Sequence, residues 1–251
     1  MTSRLVTRRE ALSAGVAAAS GVMLGGCSRP LPPTYGSVLR LADNFTYVAH
    51  RTLLPGESLV REYSRADLSS FPAVGTIDPA SAKRAEVAET YRRWQAGRFG
   101  DWRLSVSGAV ARPGAWSLQE LKALPSRTQI TKHTCEEGWT GIGEWTGVPL
   151  SRVLDAAGLQ PSARFVTFKS LDRRYDSIDL LDALHPQTLL AYGMNGHDLP
   201  VAHGAPLRLR VERQIGYKSM KFLTEMIVTE HLDDGGGRGY AKNGWAWYTG
   251  I

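Results

Sequence analysis

The chain has 251 residues, 43% hydrophobic and 22% charged, enough to bury the core of an ordinary domain and too apolar for intrinsic disorder. Lys and Arg number 30 against 24 Asp and Glu, a net charge of +6. So mild an excess, with no basic stripe and no nucleic-acid module, argues against a nucleic-acid partner and leaves a local anion site as its use.

In chain order, residues 1–27 read as an address rather than as fold. Thr7-Arg8-Arg9-Glu10-Ala11-Leu12 leads into an Ala- and Gly-rich apolar stretch over residues 11–24, the layout of a twin-arginine export signal. That stretch has no polar face and is short for a membrane span, which needs about 20 apolar residues. It ends in Leu24-Gly25-Gly26-Cys27, which resembles a lipobox, so Cys27 is expected to carry a lipid anchor. Pro30, Pro32 and Pro33 make residues 28–40 a stiff tether. Residues 41–251 are expected to form one domain. Export by the twin-arginine machinery suits a protein folded around a cofactor beforehand.

Residues 35–75 are expected to be irregular, with Asn44-Phe45-Thr46-Tyr47-Val48-Ala49-His50-Arg51 as their most informative patch. Residues 79–95 read as a helix capped near Asp78 and closed by Gly97. Residues 102–108 alternate like a strand and run into the Arg112-Pro113-Gly114 turn. Ser117 caps a short helix with Glu120 three residues on, and a further helix over residues 149–157 closes at Gly158. Strands are expected over residues 128–134, 164–168, 175–178, 189–194, 207–211 and 221–228. Short strands among short helices, without a βαβ rhythm, indicate an α+β fold on a mixed or antiparallel sheet.

The chain has two cysteines. If Cys27 is acylated, Cys135 is alone, and a lone thiol after export asks for an explanation. An inert core residue, a nucleophile and a metal ligand compete. Cys135 sits in the polar run Gln129-Ile130-Thr131-Lys132-His133-Thr134-Cys135-Glu136-Glu137-Gly138-Trp139, where a strand gives way to a loop. Such junctions present side chains to clefts, and Lys132 and His133 are expected to favour the metal-binding thiolate. Further on, His203, Arg208, Arg210, Arg213, Lys218 and Lys221 face only Glu212. On a strand, Arg208 and Arg210 share one side while Leu207, Leu209 and Val211 face the core. A phosphate cradle and a solvated basic face fit this pattern equally well.

Leu190-Ala191-Tyr192-Gly193-Met194-Asn195-Gly196, His203-Gly204-Ala205-Pro206-Leu207-Arg208 and Gly216-Tyr217-Lys218-Ser219-Met220-Lys221, with the upstream Thr134-Cys135-Glu136-Glu137-Gly138-Trp139, resemble the sulfite oxidase family. The resemblance implies that family's mixed-sheet α+β molybdopterin-binding domain and a molybdenum–molybdopterin cofactor with Cys135 as metal ligand. It implies that His203, Arg208, Ser219, Met220 and Lys221 hold the pterin and its phosphate, joined by Ser170. The patch of Asn44, Tyr47, His50 and Arg51 resembles the family's early pterin-contacting segment. Sulfite oxidases typically follow the Cys with Ala-Gly-Asn-Arg, whose Arg binds the anion. Here Glu136-Glu137 follow, and Cys-x-Glu-x-Trp is similar to the periplasmic methionine sulfoxide reductase catalytic-subunit group. That group's Tyr-Gly-Phe-Lys reads Gly216-Tyr217-Lys218, and an Asn of its pterin site is His203.

The resemblance implies oxygen-atom transfer to or from a small sulfur or nitrogen oxide, such as a sulfoxide or the sulfite oxyanion. Glu137 is the expected catalytic proton relay or orienting group. The chain has no Cys-x-x-Cys-His haem motif, so a separate redox partner is expected, a membrane b-type or a soluble c-type cytochrome. Two other readings stay open. A thiol hydrolase or transferase would use Cys135 with His133 or His203 as base, and an envelope lipoprotein without catalysis would need no cofactor. Arg173, Arg174 and Tyr175 are candidates for an entrance, and Trp139 and Trp145 read as packing residues.

Overall fold

A computed structural model describes residues 38–54, 56, 58–232 and 245–251. The export signal, Cys27 and most of the tether lie outside the described residues. Ten strands run in chain order: β1 (Arg103–Gly108), β2 (Gly114–Ser117), β3 (Arg127–Thr134), β4 (Thr140–Pro149), β5 (Phe165–Ser170), β6 (Tyr175–Asp179), β7 (Leu189–Met194), β8 (His197–Asp198), β9 (Arg208–Arg210) and β10 (Leu223–Thr229). They form two sheets. The first has the order β2-β1-β10-β5-β6, with β1 parallel to β10 and the other neighbours antiparallel. The second runs β3-β4-β7-β8 with β9 on β7, all antiparallel. This is the mixed α+β arrangement that the sequence led us to expect.

Period-two alternation fills the core. Leu104 and Val106 of β1 point inward while Arg103 and Ser105 stay exposed. They join Phe168 of β5, Met226 and Val228 of β10, and Leu207, Leu209 and Val211 on and beside β9. Each such side chain contributes about 1.5–3 kcal/mol on burial.

The helices follow local rules in most places. Helix α1 spans Val38–Leu53, α2 Ala85–Ala96, α3 Leu118–Ala123, α4 Leu150–Ala157 and α5 Leu180–Ala183. Ser117 and Glu120 cap α3 reciprocally. Gly158 ends α4 at φ +72°, a left-handed conformation that glycine adopts without strain.

Three expectations need correction. The helix proposed over residues 79–95 is split: the Asp78 carboxylate holds a single 3₁₀ turn, Pro79–Ser81, and α2 starts only at Ala85. Part of the stretch expected to be irregular is α1. The ten-residue strand β4 was not foreseen, because Gly141, Gly143 and Gly147 interrupt its alternation.

Candidate functional site

A cavity of about 440 Å³ opens where the end of β3, residues 71–75 and the stretch from His203 to Lys221 meet. That size suits a cofactor or small ligand. Cys135, Glu137, Ser170, His203, Arg208, Ser219, Met220 and Lys221 all line it.

Cys135 is the first residue beyond β3, held by a tight turn. Its N–H donates to the Trp139 carbonyl at 2.9 Å, and its own carbonyl accepts from Gly138 N–H at 3.1 Å. The thiol is buried. Burial pushes it up to about 11, the Glu137 N–H pulls it back, and the Glu136 and Glu137 carboxylates raise it further. The expectation that Lys132 and His133 favour the thiolate is therefore corrected. Lys132 points to solvent on the other face of β3. His133 is held neutral, pushed down to about 2 by burial and by Arg210 and Arg208. The thiol pairs with neither His133 nor His203; its contacts are Glu136 Oε2 at 3.6 Å and Glu137 N at 3.5 Å. A protonated thiol with no imidazole partner is a poor nucleophile, and the Glu136 carboxylate beside it disfavours the thiolate. A metal displaces the thiol proton on binding, so a thiol protonated in the metal-free fold is compatible with a ligand.

The cationic stretch divides in two. Arg210 is spent on Glu212 (2.7 Å) and on His133 Nδ1 (2.7 Å), Lys218 on Asp176 (2.7 Å) and Arg213 on the Gly56 carbonyl. The solvated-face alternative fails, because Arg208 and Arg210 are both buried beside the Trp145 ring, at 4.9 and 4.4 Å. Arg208 faces the cavity instead. Its terminal nitrogens donate to the His203 and Ser219 carbonyls at 3.0 and 2.9 Å, and its buried Nε has no hydrogen-bond partner. Lys221 Nζ donates to the carbonyls of Val74 (2.8 Å), Ala202 (2.9 Å) and Thr76. Backbone dipoles orient both cations without neutralising them. Burial and Arg210 push Arg208 down to about 9; burial, Arg208 and Arg174 push Lys221 down to about 8. Such crowding of like charge in a cavity is relieved by an anion.

The remaining parts close the walls. Ser170, at the end of β5, accepts from Arg174 N–H at 3.1 Å and donates to Asp172. Gly216 lets the chain pass against β3, since a Cβ there would lie 2.5 Å from His133 Nε2. Ser219 Oγ accepts from Val211 N–H at 3.2 Å, and the Met220 carbonyl accepts from Leu209 N–H at 2.8 Å, which fixes the floor.

Asn44, Tyr47, His50 and Arg51 are not among the lining residues. They lie on α1, where Tyr47 packs on Trp247 and Tyr248 and Arg51 pairs with Asp179 and Asp182 at 2.9 Å each. Residues 71–75 form that wall instead, from Phe71 to Gly75 at φ +69°. Their signal in the sequence was a short apolar run bounded by Pro72 and Gly75. Trp139, Asp172, Tyr217 and Trp245 also line the cavity and were not assigned to it. Of the three entrance candidates, Arg174 lines it, whereas Arg173 pairs with Glu86. Trp145 is fully buried, as a packing residue should be. Among the described residues no three His, Cys, Asp or Glu side chains group as a metal site.

Residues 92–236 match the family described as oxidoreductase molybdopterin binding domain. A protein of Azospira oryzae with the provisional name protein-methionine-sulfoxide reductase subunit YedZ1 is 42% identical over 149 residues, covering 59% of this chain and 56% of that protein. The protein-methionine-sulfoxide reductase catalytic subunit MsrP of Xanthomonas campestris pv. campestris is 33% identical over 194 residues, covering 71% and 58%. The chain thus spans a little over half the length of these relatives. In fold it is similar to the sulfane dehydrogenase SoxCD of Paracoccus pantotrophus, with a TM-score of 0.52 and 22% identity over 54% of this chain and 40% of that one. By the family match over more than half of its length, the chain belongs to the molybdopterin-binding oxidoreductases of the sulfite oxidase family.

Proposed function

We propose that the chain is the catalytic part of an exported reductase that removes oxygen from an uncharged sulfoxide, with methionine sulfoxide as the first candidate. The observation that carries this is the contrast across one cavity: buried, backbone-held cations on one wall, and Glu136 and Glu137 beside Cys135 on the other. The cofactor's own features fit that contrast. The orphaned Arg208 Nε, with Lys221 and His203, suits the pterin phosphate, and Ser170, Ser219 and Met220 suit the pterin edge. Cys135 would ligate the metal. When bound, the cofactor supplies two-electron oxygen-atom transfer.

The chain's residues then have distinct tasks. Cys135 would hold the metal as a thiolate, its proton passing to solvent. The two carboxylates repel a dianion such as sulfite and admit a neutral sulfoxide. Reduction of a sulfoxide consumes two electrons and two protons and releases the sulfide and water. Glu137, the more exposed of the pair, brings protons from solvent to the substrate side. Electrons arrive from a separate cytochrome, in a membrane or in solution. The relatives named as methionine sulfoxide reductases support the substrate class. The twin-arginine motif and Leu24-Gly25-Gly26-Cys27 support export to the periplasm and a lipid anchor at Cys27.

The test is a dye-linked assay on cofactor-loaded protein. Oxidation of reduced viologen on adding methionine sulfoxide, without ferricyanide reduction on adding sulfite, is the expected outcome. Turnover of sulfite with none of sulfoxide would refute the assignment.

A further inference from the structure

Helix α1 is inside out. Its Arg51 faces the protein, pairing with Asp179 and Asp182 and lying over the Tyr47 and Tyr248 rings at 5.3 and 5.1 Å. Its exposed positions from Leu41 onward carry no charge. Leu41, Phe45 and Val48, one helical stripe at i, i+4 and i+7, are 68%, 75% and 58% exposed, and Leu53 is 76% exposed. On α5, which holds Arg51 through Asp182, Leu181 is 52% exposed. A stripe of large apolar side chains turned outward, while the charge is turned in, marks an interaction surface.

What covers it is indicated by its place in the chain. Val38, where α1 begins, follows Cys27 by eleven residues, a reach of at most about 40 Å. An acyl chain on Cys27 therefore keeps this helix beside a bilayer, and its face has no charge to desolvate there. We infer that α1 lies in the plane of a lipid bilayer, with Leu41, Phe45 and Val48 entering the acyl boundary, a second membrane contact beside the lipid anchor. The choice of lipid as occupant rests on the lipoprotein assignment made above.

The experiment uses the mature chain from residue 27 with Cys27→Ala, so that neither the apolar signal stretch nor an acyl group contributes, and vesicles of phosphatidylethanolamine and phosphatidylglycerol. The protein is expected to sediment with vesicles. Adding Leu41→Ser, Phe45→Ser and Val48→Ser together is expected to weaken that binding at least about tenfold. A bimane label at Phe45→Cys is expected to shift to the blue with lipid and to be quenched by spin-labelled acyl chains. Equal partitioning of both proteins would overturn the inference. So would a dimer in velocity sedimentation that the triple substitution dissolves while vesicles bind neither form, since a second copy would then be the occupant. A label already shielded without lipid would also overturn it, because another part of the chain would cover the face. The lipoprotein assignment is tested apart from this, by the mass of Cys27 in the mature protein; its failure leaves the vesicle result standing. The three substituted residues are outside the cavity, so viologen-linked turnover in solution is expected to stay unchanged.

Discussion

The two walls of the cavity are built in opposite ways. The wall from His203 to Lys221 is cationic, deeply buried and anchored by the backbone: carbonyls of Val74, Ala202, His203 and Ser219 hold Arg208 and Lys221 in place. The wall from Cys135 to Trp139 is acidic, more exposed and held by a single turn. A preorganised cationic wall loses little entropy on binding an anion, which suits a resident cofactor. A more open acidic loop beside the reacting position is suited to selecting substrates by charge and to moving protons. The difference implies that, apart from Cys135, which would hold the metal itself, substitutions on the first wall change loading and those on the second change turnover and selectivity.

The largest effect is expected from Cys135→Ser. If this residue is the metal ligand, sulfoxide turnover falls by more than about a hundredfold, beyond the range of residues that only support a ligand. Retained turnover would break the comparison at its first step. Glu137→Gln is expected to lower kcat about a hundredfold at full cofactor occupancy and to remove one limb of the pH–rate profile. An unchanged profile would take the proton relay away from this residue. Arg208→Gln and Lys221→Met are expected to lower pterin content about ten- to a hundredfold at fixed cofactor supply, with normal turnover per cofactor bound. If turnover per cofactor falls and content holds, the division between the walls is wrong.

The smallest effect concerns stability. His203 is pushed down to about 4 by burial, Arg208 and Lys221, and His185 is lowered by burial, against an ordinary value of 6.5. Both are neutral in the fold, while the unfolded chain takes up protons below 6.5. Their contribution is therefore complete above pH 6.5 and is lost as pH falls from about 6.5 toward 4. Denaturant melts of the cofactor-free protein across that interval are expected to show the decline, and His203→Gln is expected to make it shallower while His133 and His185 sustain the rest.

The cationic wall was legible because its chemistry is written in alternation: Arg208-Leu209-Arg210 places arginines on one side and leucine on the other, and β9 keeps that period. What alternation does not reveal is which arginine is free to face a ligand. Arg210 is occupied by Glu212, two residues on, and by His133, which only the fold brings to it. The state of Cys135 was misjudged for the same reason. Lys132 is close in sequence but points to the opposite face, and His133 is surrounded by arginines brought from β9. Strand β4 stayed hidden because three glycines break its alternation, whereas α1 was missed although Leu41, Phe45 and Val48 keep helical spacing. Residues 71–75 form a cavity wall through loop conformation, which their composition signals only through Pro72 and Gly75.

The most direct test is the molybdenum and pterin content of the purified protein, wild type and Cys135→Ser, from a host able to make the cofactor. About one metal and one pterin per wild-type chain, with metal lost or its spectrum altered in Cys135→Ser, is the expected result. A folded wild-type chain carrying neither molybdenum nor pterin would contradict the account.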